Sequence, residues 1–140
     1  MIVKIKRLSP EAVVPRYAKH GDAGMDIHCI GEPYEDEFGN EVYHTGIAME
    51  IPEGFVGLIY PRSSIYKTSH ALRNHVGVID SGYRGEIIFK FSKLHDGPNY
   101  SPGDRIGQII IMPHPYVEFV ETKELSASER GYGGFGSTGK

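Results

Sequence analysis

"NHVGVIDSGYRGEIIFKF" (74–91) sets the pattern that the rest of the chain repeats. "GVID" is apolar up to Asp80, "SGYRG" turns, and "EIIFKF" returns with apolar residues at every second position. The stretch reads as a strand–turn–strand hairpin. Outward from it, "IVKIKRL" (2–8) alternates, with Val3 and Ile5 on one face and Lys4 and Lys6 on the other; "GIAMEIP" (46–52) alternates through Ile47, Met49 and Ile51. "FVGLIYP" (55–61), "IGQIIIM" (106–112) and "YVEFVE" (116–121) are short, β-branched or aromatic, and bounded by turn formers. "DEFGNEVYH" (36–44) carries a Gly-Asn pair that predicts an exposed hairpin, and "PEG" (52–54) and "DGPNYSPGD" (96–104) are turns. Only "SSIYKTSHALRN" (63–74) has room for a short helix. Many short strands with regular turns predict an all-β sandwich, barrel or jelly roll.

The composition agrees with one globular domain of 140 residues, 39% hydrophobic, with 9 Tyr, 6 Phe and no Trp. A net charge of -3 supplies no general field for nucleic acid or anionic lipid, so any bound anion must meet local donors. Cys29 is the only cysteine, which excludes an intrachain disulfide and a thiolate zinc site; a buried inert thiol is expected. The N-terminus lacks the long apolar core of a signal peptide, and no run approaches the roughly 18 apolar residues of a membrane helix. A soluble, cytoplasmic protein is expected.

Five stretches interrupt the strand pattern with charged or glycine-rich residues. "DAGMDI" (22–27) places Asp26 at the entry to a strand, as a solvated turn acid or as a ligand. "YPRSSIY" (60–66) reads equally as a helix start capped by Ser63 or Ser64 and as an anion seat built on Arg62. Asp80 sits at the lip of an apolar strand, as a turn former or as a carboxylate placed for base catalysis. In "SPGDRIGQIIIM" (101–112), Asp104 and Arg105 are expected to pair, and Gln108 needs a polar partner on an isoleucine strand. The tail "RGYGGFGSTGK" (130–140) is either disordered or a phosphate-wrapping flap with one aromatic ring. P-loop, HExxH and paired-cysteine patterns are absent, and the histidines have no metal-ligand spacing.

In order, "AGMDI" (23–27), "PRSS" (61–64), "GVIDSGYRGEI" (77–87), "GDRIGQ" (103–108) and "RGYGGFGSTG" (130–139) resemble the five motifs of the homotrimeric dUTPase family. The resemblance implies a distorted jelly roll over residues 1–121 and a C-terminal arm, 122–140, that closes over the active site of a neighbouring subunit. It implies a homotrimer with shared sites, no nucleic-acid or membrane partner, and Mg²⁺-dependent hydrolysis of dUTP to dUMP and pyrophosphate by water attack on the α-phosphorus. By motif position, Asp80 would polarise the water. The backbone of Gly77, Val78 and Ile79 would read uracil, Tyr83 would pack against the deoxyribose, and Phe135 would stack on the base. Arg62, Ser63, Ser64, Gln108, Arg130, Gly136, Ser137 and Thr138 would hold phosphates, and Asp26 would orient water on Mg²⁺. Stacking is worth roughly 1–3 kcal/mol per base but does not separate uracil from cytosine; base-edge hydrogen bonds do.

The segment "GEPYEDEFGNEVYHTG" (31–46) looks longer than the family's link between its first two motifs and is expected to protrude as an acidic hairpin. Its removal is expected to leave turnover unchanged. Two alternatives stand beside the main reading. One is a nucleotide-gated regulatory module with 31–46 as its partner surface. The other resembles the related dCTP deaminases, which need an additional glutamate; Glu86 is the one candidate.

Overall fold

The computed structural model describes residues 1–137. Its strands are β1 (Lys4–Arg7), β2 (Met25–His28), β3 (Ile30–Glu35), β4 (Glu41–Glu50), β5 (Phe55–Tyr60), β6 (His70–Leu72), β7 (Gly77–Ile79), β8 (Glu86–Lys93) and β9 (Arg105–Pro113). A 3₁₀ turn over Ser63–Lys67 is the only helical piece among the described residues, and no helix there is long and apolar enough to cross a membrane. Antiparallel pairing gives two sheets, ordered β1-β4-β8-β6, with β3 also on β4, and β2-β9-β5-β7. The all-β expectation holds.

Alternation explains the layering. β8 buries Ile87, Phe89 and Phe91, while β9 buries Ile106 and Ile109. These join Ile27, Tyr43, Ile47, Met49, Ile59 and Leu72 in one cluster drawn from both sheets, with Val3 and Ile5 packed at its edge. Gly107 faces this core because a Cβ there would stand 2.7 Å from Phe89 Cζ. Cys29 is fully buried and donates to Ser101 O at 3.2 Å, and burial pushes its thiol up, so the inert reading stands.

Residues 74–91 do not form the expected hairpin. β7 pairs with β5, whereas β8 pairs with β4 and β6 in the other sheet. The chain changes sheets between Asn74 and Gly77. Asn74 Nδ2 donates to Ile88 O and its Oδ1 accepts from Lys90 N (2.8 and 2.9 Å), which binds this residue to β8. Gly77 then lies so close to β5 that a Cβ would meet Ile59 Cγ1 at 2.5 Å. The two strands therefore lie in different sheets, β7 beside β5 and β8 between β4 and β6.

The 31–46 segment is half turn and half core. β3 and β4 do form a hairpin across Asp36–Asn40. There Asp36 Oδ1 accepts from Phe38 N and Asn40 N, Asp36 Oδ2 accepts from Lys90 Nζ, and Gly39 takes φ 76°. Its returning half is no protrusion, however. Val42, Tyr43, Thr45 and Gly46 are buried in the strand that pairs with β1, β3 and β8. Even Glu41 is largely covered, holding His70 Nε2 at 2.8 Å and Lys93 Nζ at 3.2 Å. The polar letters of this segment hid a central strand.

"YVEFVE" forms no strand. β9 ends at Pro113, and Tyr116 and Phe119 are each 94% exposed. Pro113 and Pro115 lack the N–H a ladder needs, and no strand among the described residues lies against 116–121.

Candidate active site

Asp26, Arg62, Arg105 and Gln108 gather where β2, β9 and the 3₁₀ turn meet. β2 pairs with β9 so that Asp26 lies opposite Gln108, and β5 places Tyr60 on the other side of Gln108. Arg62 follows β5 after Pro61. Asp26 accepts from both flanking guanidiniums: Arg62 Nε donates to Oδ1 at 3.0 Å and Arg105 Nη1 to Oδ2 at 3.0 Å. Asp26 is thus neither a free turn acid nor one partner of a simple pair. It holds two cations side by side in a partly buried seat.

Asp104 and Arg105 do not pair as expected. Asp104 Oδ2 caps its own turn by accepting from Ser101 N at 2.8 Å, which frees Arg105 to reach across to β2. Gln108 finds its partner in Pro61 O, to which Nε2 donates at 2.9 Å. Gly24 is needed beside it, since a Cβ there would fall on Gln108 Oε1 and 3.1 Å from Cδ. Neither Ser63 nor Ser64 caps the 3₁₀ turn; its N-cap is Arg62, without a side-chain bond. Among the described residues both serine hydroxyls are without a protein partner, so the capping reading fails. His28, two residues beyond Asp26 and past an irregularity in the β2–β9 ladder, is held below its ordinary pKa. Burial is the main cause, with Arg105 and Arg62 reinforcing it against Asp26.

A second group surrounds a cavity of about 280 Å³ between β7 and the start of β8, lined among others by Asn74, Gly77, Val78, Asp80, Tyr83 and Glu86. β7 is an edge strand, so one side of its backbone carries free N–H and C=O groups. Asp80 begins the turn that Tyr83 N closes onto Asp80 O at 3.0 Å. The Tyr83 ring lies over Gly85, where a Cβ would come 2.5 Å from Tyr83 Cζ, and its hydroxyl donates to Glu86 O at 3.0 Å. The Glu86 carboxylate is already engaged: Oε1 accepts from Thr45 N and Gly46 N at 3.0 and 2.7 Å, and Oε2 lies 2.8 Å from His44 Nδ1. A deaminase-type glutamate would need that carboxylate free to exchange protons with a substrate.

The sequence-predicted residues therefore fall into three places. Asp26, Arg62 and Gln108 meet, with Ser63 and Ser64 alongside. Gly77, Val78, Ile79, Asp80 and Tyr83 share the cavity, whose lining includes none of the phosphate group. Arg130, Phe135, Gly136 and Ser137 lie in an exposed tail that, among the described residues, is organised by local turns such as Gly133 N to Arg130 O (2.9 Å) and Ser137 N to Gly134 O (3.0 Å). The Phe135 ring is fully exposed. Thr138 lies outside the described residues. Sequence reasoning missed Asn74 and Arg105. An isolated Asn before an apolar strand carries no signal, but Arg105 was legible as the one cation preceding Gln108 by three residues.

The dUTPase family model matches residues 10–139, which is nearly the whole chain. The chain is a member of the dUTPase family. It is 42% identical over 143 residues to the deoxyuridine 5'-triphosphate nucleotidohydrolase of Thermobifida fusca, covering 98% of this chain and 78% of that one. With the enzyme of the same name from Alkaliphilus metalliredigens it shares 41% over 139 residues, covering 98% and 96%. Among solved structures, the dUTPase of Staphylococcus bacteriophage 80alpha with dUPNHPP superposes with a TM-score of 0.82 at 28% identity, covering 99% of each chain. This dUTPase family member thus has the fold of dUTPases already solved, with an acid–arginine seat and an edge-strand cavity at separate places on it.

Proposed function

We propose that this chain is a dUTP diphosphatase, hydrolysing dUTP to dUMP and pyrophosphate. The observation that carries the reading is the cavity in which Asp80, Tyr83 and the free edge of β7 converge. Backbone N–H and C=O groups at fixed spacing match the uracil edge. Cytosine, with donor and acceptor exchanged at the 4-position, would leave buried groups unpaired. Tyr83 would pack beneath the sugar and exclude a 2'-hydroxyl.

Asp80 holds a water in line with the α-phosphorus. The water oxygen bonds to that phosphorus, the bond from it to the α–β bridging oxygen breaks, and the proton passes to the Asp80 carboxylate and then to solvent. Arg62 and the free hydroxyls of Ser63 and Ser64 neutralise the departing pyrophosphate, with Gln108 binding a neighbouring oxygen. The arm, residues 122–140, brings Arg130, Gly136, Ser137 and Thr138 onto the terminal phosphate and Phe135 onto the base, excluding bulk water.

Magnesium fits this donor set. Among the described residues there is no cluster of three His, Cys, Asp or Glu that could cage a metal. Asp26 is the one carboxylate in the phosphate seat, and each of its oxygens keeps a lone pair beyond the bond to arginine. A cation that keeps its waters and is held mainly by substrate oxygens suits such a seat, with Asp26 accepting from those waters. The ion would supply charge neutralisation on the triphosphate.

A homotrimer with shared sites completes the picture. One chain separates the phosphate seat, the base cavity and the arm, and its exposed Val78, Tyr116 and Phe119 need cover. The test of the chemistry is hydrolysis in ¹⁸O-labelled water. Label in dUMP and none in pyrophosphate supports attack at the α-phosphorus. Label in pyrophosphate overturns it.

A further inference from the structure

β4 carries two extra residues opposite β8. His44 faces Ile88 and Ala48 faces Glu86, so Thr45, Gly46 and Ile47 bow out of the ladder. A bulge leaves amides without strand partners, and here a side chain replaces the missing acceptors. Glu86 Oε1 accepts from Thr45 N at 3.0 Å and Gly46 N at 2.7 Å, Oε2 lies 2.8 Å from His44 Nδ1, and Thr45 Oγ1 donates to Ile87 O at 2.6 Å. The Gly46 backbone at φ 65° is wedged between Ile30, Ala12 and Ser9, so the bulge cannot drift. Glu86 is therefore fixed at its side chain by a strand buried in the core.

The main chain of the same residue faces the cavity. Glu86 O accepts the Tyr83 hydroxyl at 3.0 Å, and the ring has no Cβ beneath it because residue 85 is glycine. Tyr83 is otherwise 45% exposed and linked to the turn only through its backbone. Its ring position depends on one carbonyl, which stands opposite Ala48 where β4 rejoins the ladder after the clamped bulge.

We infer that Glu86 is a positioning residue for sugar selection: by clamping the β4 bulge it fixes the carbonyl that anchors Tyr83, and so sets the space beneath C2' of the nucleotide. The inference rests on the dUTP reading and deepens it. Glu86 does not touch the reacting atoms. Its loss frees the ring to swing away from Gly85, which admits a 2'-hydroxyl while Asp80 and the Arg62–Asp26–Arg105 seat stay intact. The signature is a loss of discrimination larger than the loss of turnover.

The experiment measures kcat and KM for dUTP and UTP on the full chain and on Y83F, E86A, E86D, E86Q and Y83F/E86A, with thermal unfolding of each. E86A is expected to lower the dUTP/UTP ratio of kcat/KM about tenfold, with kcat for dUTP changed less. Y83F falls similarly, and the double variant falls no further than either single one, because both act through one hydrogen bond. E86Q keeps an oxygen for the two amides and stays within about threefold of wild type. E86D, one methylene shorter, cannot span the bulge and falls like E86A; it carries the test if E86A does not fold. Selective E86A and E86D, whatever their melting temperatures, overturn the inference alone, as does an additive double variant. A wild-type chain that turns over no dUTP overturns it together with the reading beneath it.

Discussion

Replacing Gly24 by Ala tests how the fold builds the phosphate seat. The new Cβ would land on Gln108 Oε1 and 3.1 Å from its Cδ. The neighbour is a flexible side-chain end, so the backbone stays and Gln108 swings away. That breaks the 2.9 Å bond from Nε2 to Pro61 O, a half-buried neutral bond worth about 1 kcal/mol. In a chain of 140 residues this lowers the melting temperature by about 4 °C. The kinetic effect is larger. A hydrogen bond to a charged phosphate is worth roughly 1.5–3 kcal/mol, so its loss lowers kcat/KM for dUTP roughly 10- to 100-fold. Pyrophosphate release by a coupled assay and differential scanning calorimetry read the two effects. Q108A should match G24A in kcat/KM, and the double variant should be no worse than Q108A. If G24A stays within about twofold of wild type while Q108A is crippled, the steric reasoning is wrong. If both are unimpaired, Gln108 holds no phosphate.

Other consequences concern the body of the fold. Gly107→Ala drives a methyl against the buried Phe89 ring, 2.7 Å from Cζ, and should destabilise by about 3 kcal/mol in chemical denaturation, far more than G24A. Deleting 31–46 should abolish folding, since it removes buried Val42, Tyr43 and Thr45; replacing only Glu37–Gly39 at the tip should leave circular dichroism and turnover intact. The Asp36 carboxyl is held down at about 2 by Asn40 N–H, Lys90 and Phe38 N–H, against an unfolded value near 4. A depressed carboxylate adds stability that is complete above the unfolded value and lost as pH falls through the folded one. Melting temperatures should therefore drop between about pH 4 and pH 2 in wild type and less steeply in D36N, with the difference shrinking in salt.

Strand identity was legible where alternation was clean: Ile87, Phe89 and Phe91 of β8, and Ile47 and Met49 of β4, are buried as their spacing predicts. Sheet membership was not. Nothing local distinguishes β7 and β8 paired as a hairpin from β7 and β8 in opposite sheets, because the deciding contacts, Asn74 on β8 and Gly77 on β5, are long-range. "EVYHTG" looked like surface because Glu41, His44 and Thr45 are polar, yet each is satisfied by a partner far away in sequence: His70, Glu86 and Ile87. The reverse error occurred at "YVEFVE", where β-branched and aromatic letters suggest a strand but no strand among the described residues receives them. In the site, residue types and order singled out groups that the fold gathers at the seat and the cavity, but pairing again depended on the fold. Asp104 beside Arg105 suggested an ion pair, and the turn that occupies Asp104 with Ser101 N sends Arg105 to Asp26 instead.

The central claim is tested most directly by pyrophosphate release from dUTP, dCTP, dTTP and UTP in the presence of Mg²⁺, with the intact chain, with Asp80→Asn, and with a chain ended after Glu129. The expected result is rapid release from dUTP alone, abolished by Asp80→Asn although dUTP still binds, and severely reduced without the arm. Release from dCTP at a comparable rate, or unchanged release by Asp80→Asn, would contradict the account.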